Sequence, residues 1–166
     1  MITKSGPKTL EYNVRFGDPE TQTLLPLMRS DCDLAEIMVA CTEHWLDAIE
    51  IKVESKFSAT VVAAAGGYPG PYARGDKMTL ETPPSDTFIF HARTSLADGS
   101  LKTSGGRVIA ATSTAPTLEE AVKRAYAGIS SISFNNMYYR KDIGHRYLYS
   151  PTLFNTSKND QLIRYS

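Results

Sequence analysis

The sequence predicts an α+β protein in which a small, mostly antiparallel sheet is accompanied by helices. Two segments, beginning at Asp33 and Thr117, have the spacing of a capping box and continue with apolar residues every three or four positions, which is typical of amphipathic helices. Between them, runs rich in β-branched and aromatic residues alternate with turn signals such as Asp98-Gly99, and this pattern favours antiparallel hairpins.

Length and composition set the outer limits of the interpretation. The 166 residues are about the length of one ordinary domain or two very small ones, and 42% apolar with 22% charged residues is typical of a globular protein. The 18 basic and 18 acidic residues cancel, so the strong attraction to nucleic acid or anionic membranes that a basic domain has is excluded. Because no membrane segment or secretory signal is recognisable, we expect a cytoplasmic protein. Cys32 and Cys41 are predicted to be reduced packing residues.

The first half of the chain begins with a predicted half-buried strand over residues 10–16. Apolar and polar residues alternate strictly there, and Gly17-Asp18-Pro19 ends the pattern because glycine and proline do not continue a strand ladder. The elements predicted next are a short helical piece over 21–28, the Asp33 helix with its end at Leu46-Asp47, and strands over 48–54 and 57–65.

The second half is predicted as a meander followed by a helix. Glycine- and proline-rich segments at 66–71 and 74–76 are predicted loops, and strands are predicted over 88–94 and 107–112. The Thr117 helix has a core-facing stripe formed by Leu118, Ala121, Val122, Ala125, Ile129 and Ile132. Residues 147–166 show no periodicity and are predicted to be a disordered tail.

Three polar residues share one parity of the first predicted strand: Glu11, Asn13 and Arg15. One interpretation is an ordinary solvent-facing side of a sheet, which requires no ligand. The other is a site for Mg²⁺ and phosphate, because carboxylate and amide oxygens suit Mg²⁺ and a guanidinium neutralises phosphoryl charge. The spacing alone leaves both interpretations open.

Two glycine-containing loops also have two interpretations. Residues 66–70 and 104–107 are either plain turns or places where backbone N–H groups approach a phosphate, with Arg107 assisting in the second loop. Neither loop matches a known phosphate-binding pattern. The histidines His44, His91 and His145 lack the spacing of a metal site, and no hydrolase motif is present.

Residues 11–22 closely resemble the strand and loop that close the active site of the glycinamide ribonucleotide synthetase (phosphoribosylamine–glycine ligase) family. The resemblance covers roughly residues 5–146, with the motifs in family order. Further matching motifs lie at residues 25–27, 30–31, 33–34, 67–70, 75–76, 90–92, 103–108 and 139–144.

The resemblance implies ATP-dependent joining of glycine to 5-phosphoribosylamine, which gives glycinamide ribonucleotide, ADP and phosphate in purine biosynthesis. By family analogy Glu11 and Asn13 are ligands of Mg²⁺ or Mn²⁺ in an ATP-grasp site, and Arg15 faces the transferred phosphoryl group. Asp18 and Glu20 would meet an amine, although turn and helix-start roles fit them as well. The substrate-facing glycine loops would contribute Gly67, Gly70, Gly105, Gly106 and Arg107.

The same resemblance predicts the domain organisation. Residues 1–47 correspond to the end of an ATP-grasp domain and residues 48–146 to the ligase carboxy-terminal domain. The chain lacks the preceding parts of that enzyme, so we expect it to be inactive alone. A non-catalytic module that docks on a complementary fragment or on a full-length ligase is the alternative. Two residues depart from the family, in which glycine is usual: Arg93 and Asn136.

Overall fold

A four-stranded antiparallel sheet with a helix across it forms the centre of the fold. The structure is a computed structural model that describes residues 1–3 and 5–149. In chain order its elements are β1 (Ile2–Thr3), β2 (Gly6–Pro7), α1 (Glu20–Leu24), α2 (Leu34–Glu43), β3 (Phe57–Ala65), β4 (Met78–Leu80), β5 (Thr87–His91), β6 (Thr94–Ala97), β7 (Ser100–Thr103), β8 (Arg107–Ala115), α3 (Leu118–Ser130), β9 (Ile132–Phe134), β10 (Met137–Tyr138) and α4 (His145–Tyr149). Short 3₁₀ turns, Leu25–Leu27 and Leu46–Ala48, lie near the ends of α1 and α2.

The main sheet has the strand order β10-β3-β8-β5, and each neighbouring pair is antiparallel. β3 and β8 pair from Phe57 opposite Ala115 to Ala64 opposite Arg107, with an irregularity after Ala63. β8 is flanked by strands on both sides and is buried along most of its length, but its first residue, Arg107, is exposed. The strands predicted over 57–65 and 107–112 and the α+β class are therefore confirmed.

The helix α3 covers one face of this sheet. Its start is the predicted cap, because the Thr117 hydroxyl accepts a hydrogen bond from the Glu120 backbone N–H at 3.2 Å. Four members of the predicted stripe are buried against the sheet: Ala121, Val122, Ala125 and Ile129, the last completely inaccessible to solvent. Leu118 is half-buried, and Ile132 lies beyond the helix in β9. Gly128 sits so close to the sheet that a Cβ atom there would lie 2.5 Å from the Thr87 methyl group. Close approach of the helix thus depends on a small residue at this position.

Two tight turns depend on residues that tolerate positive φ. β6 and β7 form a hairpin closed by Asp98 and Gly99, whose φ angles of 54° and 69° match the turn predicted from this dipeptide. Asn136 has φ 53° between β9 and β10. Asparagine enters this region more readily than most residues, so the departure from glycine leaves a left-handed turn in place.

Two predicted strands do not form. Residues 10–16 contain no helix or strand, and Leu10, Tyr12, Val14 and Phe16 are 74%, 83%, 94% and 61% exposed rather than half-buried. An alternating pattern produces a strand only where another strand pairs with its backbone, and none of the described strands does so here. Residues 48–54 are also not a strand, and a single bridge joins Val53 to Met28.

A third predicted strand, over 88–94, is divided into β5 and the start of β6. The backbone N–H groups of Ala92 and Arg93 both donate to the Val108 carbonyl, at 3.0 and 2.9 Å. Two donors on one carbonyl break the ladder, so the chain leaves the main sheet after His91.

The helix α2 begins as predicted, because the Asp33 carboxylate accepts hydrogen bonds from the N–H groups of Ala35 and Glu36. Only Ala40 of this helix is buried, and Cys41 is exposed, so the packing role predicted for that cysteine is wrong. Among the described residues, no helix or sheet buries the apolar residues of α2 as α3 is buried.

The predicted tail falls largely on residues 150–166, which lie outside the described residues, whereas residues 147–149 belong to α4.

Replacing Ile129 by Ala should lower the free energy of unfolding by about 3 kcal/mol, because a fully buried large side chain is lost between α3 and the sheet. Urea unfolding followed by circular dichroism measures this change. Leu96→Ala is the control, since Leu96 is 77% exposed, and it should change the value by less than about 0.5 kcal/mol. Equal losses in the two variants would contradict this description of the core.

Candidate functional site

Two clefts adjoin the loop that leads into α1. We call the first the loop cleft; it has a volume of about 320 Å³ and is lined by Asn13, Arg15, Phe16, Gly17, Glu20, Thr21 and Leu24. The second, the sheet cleft, has a volume of about 480 Å³ and is lined by Asp18, Gln22, Tyr68, Tyr72, His91, Ala92, Arg93, Gly106 and Arg107. Residues 16–24 thus contribute to both clefts.

An ion pair joins this loop to the main sheet. The Arg107 guanidinium donates from Nη1 to the Asp18 carbonyl oxygen at 2.6 Å, and its Nη2 lies 3.2 Å from Asp18 Oδ2. Both side chains are 43% exposed, so the pair is screened by solvent and contributes modestly to stability. Its effect is geometric, because two contacts to one residue fix the position and the orientation of the loop.

A chain of hydroxyl groups holds α1 on the same sheet. The Thr23 hydroxyl donates to the Pro19 carbonyl at 3.0 Å and lies 2.7 Å from the Thr60 hydroxyl, which lies 2.7 Å from that of Thr112. Each hydroxyl has one proton to donate, so Thr112 donates to Thr60 and Thr60 donates to Thr23. Thr112 is fully buried on β8, and the chain therefore connects the loop to the sheet interior.

Gln22 completes the set of contacts around Asp18. Its Nε2 donates to Asp18 Oδ1 at 3.0 Å, which leaves its Oε1 buried and without a hydrogen-bond partner among the described residues. An unpaired buried acceptor costs about 1–3 kcal/mol. The Gln22 amide is therefore oriented so that its nitrogen contacts the Asp18 carboxylate, while its oxygen has no partner among the described residues.

The predicted glycine positions have clear steric reasons. A Cβ atom on Gly106 would lie 2.1 Å from the Tyr68 ring, and one on Gly105 would lie 2.7 Å from the Arg93 side chain. Gly67 has φ 96° and its added Cβ would lie 2.3 Å from the Pro71 carbonyl oxygen, whereas one on Gly70 would lie 3.1 Å from the Gly67 carbonyl. Packing explains these glycines, and contact with a phosphate stays a prediction.

Aromatic and polar side chains form the other walls of the sheet cleft. The Tyr68 and Tyr72 rings meet edge-on with centroids 5.8 Å apart. Arg74 lies over the Tyr72 ring, 5.4 Å from its centroid, and donates to the Tyr72 hydroxyl at 3.2 Å. Nδ1 of His91 is 2.9 Å from the Thr94 hydroxyl. Two phenol rings and an imidazole thus line the cleft, and Arg74 contacts one of the two rings from outside the lining.

The predicted metal and phosphoryl residues are exposed to solvent, as are the apolar residues that alternate with them. Glu11, Asn13 and Arg15 are all exposed, and Asn13 and Arg15 share the loop cleft with Glu20. In the part of the chain that the structure describes, no three His, Cys, Asp or Glu side chains come together as a metal site. Glu11 is not among the residues that line the loop cleft, and metal binding by Glu11 and Asn13 stays a prediction.

The carboxylates with a clearly shifted pKa lie outside the clefts. A hydrogen bond from Arg29 lowers the pKa of Asp31, and a hydrogen bond from Arg140 lowers the pKa of Asp142. Both are exposed ion pairs between residues two positions apart. They favour the local turns and have no direct connection with the two clefts.

Residues 58–146 match the family model for the C domain of phosphoribosylglycinamide synthetase. The chain belongs to this synthetase family. It is 55% identical over 149 residues to the bifunctional purine biosynthetic protein ADE1 of Schizosaccharomyces pombe, covering 89% of this chain and 19% of that protein. Against the phosphoribosylamine–glycine ligase of Caldanaerobacter subterraneus the identity is 44%, covering 89% and 35%.

A crystal structure of the Thermotoga maritima phosphoribosylamine–glycine ligase superimposes with a TM-score of 0.67 at 34% identity, and the match covers 86% of this chain and 34% of that one. The chain thus spans about a fifth to a third of the length of these relatives. The resemblance to the synthetase family that was predicted over roughly residues 5–146 is confirmed. None of the helices in the described residues is long and apolar enough to cross a lipid bilayer.

The sheet cleft contains three residues that were predicted from the sequence and several that were not. Asp18, Gly106 and Arg107 were predicted site residues and are brought together in the sheet cleft. Gln22, His91 and the two tyrosines were not predicted, although they lie within the family-like segments 11–22, 67–70 and 90–92 or close to them. Their proximity depends on β5 and β8 pairing, and the sequence does not display that pairing.

Replacing Arg107 by Gln should loosen the loop without unfolding the sheet, because it removes the ion pair with Asp18. Amide hydrogen exchange at Thr21 and Thr23 should become a few-fold faster, on the scale of an exposed ion pair, while β3 and β8 keep their protection. Arg140→Gln removes a similarly exposed pair elsewhere and serves as the control. Unchanged exchange at both threonines would show that Arg107 does not hold the loop.

Proposed function

We propose that this chain provides the C domain and the adjoining loop of an ATP-dependent ligase that joins 5-phosphoribosylamine to glycine, with ADP and phosphate as products, in purine biosynthesis. The observation that carries this proposal is the contact between Arg107 and Asp18. It joins the loop that follows the predicted metal and phosphoryl residues to the predicted substrate loop around Arg107, which supports the proposal. Relatives named for the ligase and for purine biosynthesis support the assignment.

Glu11 and Asn13 would hold Mg²⁺ or Mn²⁺ together with the phosphates of ATP. The donor set fits, since both are exposed oxygen donors and a magnesium ion usually keeps water and phosphate ligands besides one or two protein groups. When bound, the cation neutralises phosphate charge. Arg15, in the loop cleft beyond Asn13, would stabilise the negative charge that develops when glycine is activated as an acyl phosphate.

The two acidic residues of the loop have different surroundings, and this separates their proposed roles. Asp18 already pairs with Arg107 and accepts from Gln22, so it would orient the loop and meet the amine of a substrate in the sheet cleft. Glu20 lines the loop cleft with Arg15, and no ion pair to it occurs among the described residues. Its carboxylate is available to attract the glycine ammonium group.

The exposed apolar row of Leu10, Tyr12, Val14 and Phe16 supports the proposed domain organisation. In an intact ligase these side chains would pack within an ATP-grasp domain, with residues 1–47 as its last part and residues 48–146 as the C domain. Burying such side chains stabilises a protein by roughly 1.5–3 kcal/mol each. A cytoplasmic location and the absence of a nucleic-acid partner stay predictions.

The same exposed row favours a second candidate function. A chain with an unpaired apolar segment could act as a non-catalytic interaction module that docks on a complementary fragment or a full-length ligase. The two candidates differ in one respect: only the ligase proposal requires Glu11 and Asn13 to contribute to turnover.

A chimeric enzyme tests the proposed function. This chain replaces the matching third of the Thermotoga maritima ligase, and ADP formation is measured with and without glycine and phosphoribosylamine. The chimera should turn over, and Glu11→Gln or Asn13→Ala should lower kcat by about 100-fold or more, because a charge-stabilising ligand is lost. Circular dichroism should remain unchanged.

Glu119→Gln is the matched control, since it removes an exposed carboxylate on α3 away from the clefts, and it should keep full activity. Calorimetric titration of the chimera with Mg·ATP and glycine reports binding separately from turnover. A folded chimera that binds neither compound would reject the ligase proposal and favour the interaction module. Loss of folding in Glu11→Gln would return that residue to a structural role.

A further inference from the structure

The sheet cleft contains a positive charge that the proposed function has not used. Three charged side chains line it, Asp18, Arg93 and Arg107, and the imidazole of His91 is beside them. The charge of Arg107 is opposed by Asp18 at 3.2 Å. Within the described part of the chain no carboxylate or other acceptor pairs with the Arg93 guanidinium, so the cleft has a surplus of one positive charge.

The backbone of Arg93 is fixed from both sides. Its N–H donates to the Val108 carbonyl at 2.9 Å, and its carbonyl accepts from the Ser104 N–H at 2.9 Å. Its aliphatic stem lies on Gly105, where an added Cβ would be 2.7 Å from Arg93 Cγ. An exposed arginine usually loses much side-chain entropy when it binds a ligand, and a fixed base and a packed stem reduce that loss.

We propose that Arg93 is a specificity-determining residue of the sheet cleft and that its guanidinium binds the phosphate group of a phosphorylated sugar. Arginine recognises phosphate through paired N–H donors, and Arg107, which also lines this cleft, has further N–H groups besides those that contact Asp18. The volume of about 480 Å³ accommodates a pentose phosphate. Tyr68 and Tyr72 would form the wall along the sugar.

The identity of the sugar in this proposal rests on the proposed function. Recognition of the sugar phosphate is assigned to Arg93, a position at which glycine is usual in the family. A terminal phosphate could also come from a nucleotide. The loop cleft, which contains Arg15 and the predicted cation ligand Asn13, is where we expect the phosphates of ATP. We therefore assign the phosphate at Arg93 to the sugar.

Titration calorimetry of the full 166-residue chain at pH 7.5 and low salt tests the assignment, with inorganic phosphate, ribose 5-phosphate and ADP as separate ligands. Ribose 5-phosphate should bind at least as tightly as ADP. Arg93→Gln should weaken binding of phosphate and ribose 5-phosphate by about tenfold or more, because a charge-assisted hydrogen bond is lost. Arg93→Lys should recover part of the affinity, since it restores the charge without the planar donor pair.

Lys123→Gln is the control for net charge, because this exposed lysine on α3 is remote from the cleft lining, and binding should not change. The proposal would be overturned if the unsubstituted chain bound neither phosphate nor ribose 5-phosphate, or if Arg93→Gln bound them with unchanged affinity. It would also be overturned if Lys123→Gln lost as much affinity as Arg93→Gln. Tighter binding of ADP that also depends on Arg93 would overturn the sugar assignment.

Chemical shifts of the unsubstituted chain and kinetics of the chimeric ligase provide two further tests of the role of Arg93. If circular dichroism shows that Arg93→Gln does not fold, the amide chemical shifts of the unsubstituted chain are measured during a titration with phosphate. The amide signals of Gly106 and Thr94 should then shift, and unchanged signals would reject the site. The chimeric ligase separates this proposal from the proposed function. An inactive chimera with intact phosphate binding rejects only the ligase, and an active chimera whose Arg93→Gln variant keeps the same KM for phosphoribosylamine rejects only the role of Arg93.

Discussion

The arrangement of both clefts depends on the attachment of one loop to one end of β8. Arg107 begins that strand and holds Asp18 through a backbone and a side-chain contact, while Thr112, further along the same strand, starts the hydroxyl chain that reaches Thr23. Each contact is worth little alone, because exposed ion pairs and neutral hydrogen bonds each contribute on the order of 1 kcal/mol. Together they define how a segment without strand partners sits on a buried sheet.

The balance between burial and exposure differs between the two parts of the chain. From β3 onward the apolar residues enclose one core between the main sheet and α3, and Val61, Ile109 and Ile129 are inaccessible to solvent. Residues 10–53 bury little, with Val14 at 94% and Val53 at 65% exposure. The match to the synthetase C domain begins at residue 58, which is close to this change. The better-packed part is therefore the part that the family model recognises.

Several elements could be predicted because their signals are local. The caps at Asp33 and Thr117 need only a side chain three residues from a backbone N–H, and the Asp98-Gly99 turn needs only residues that accept positive φ. The strand predicted over residues 10–16 failed because a strand needs a partner as well as an alternating pattern. The break after His91 was missed because it results from the Val108 carbonyl, 17 residues further along the chain, and not from a turn signal.

The sequence by itself determined the α+β class, the two capped helices, the hairpin turn and the family resemblance, since these follow from short-range spacing and from motifs in order. Only the tertiary structure decided which polar residues meet. Asp18 and Arg107 are 89 residues apart, and Arg93 was notable in the sequence only as a departure from glycine. Their common cleft is produced by the antiparallel pairing of β5 with β8, and such long-range pairing is set by the burial of a whole sheet rather than by any local segment.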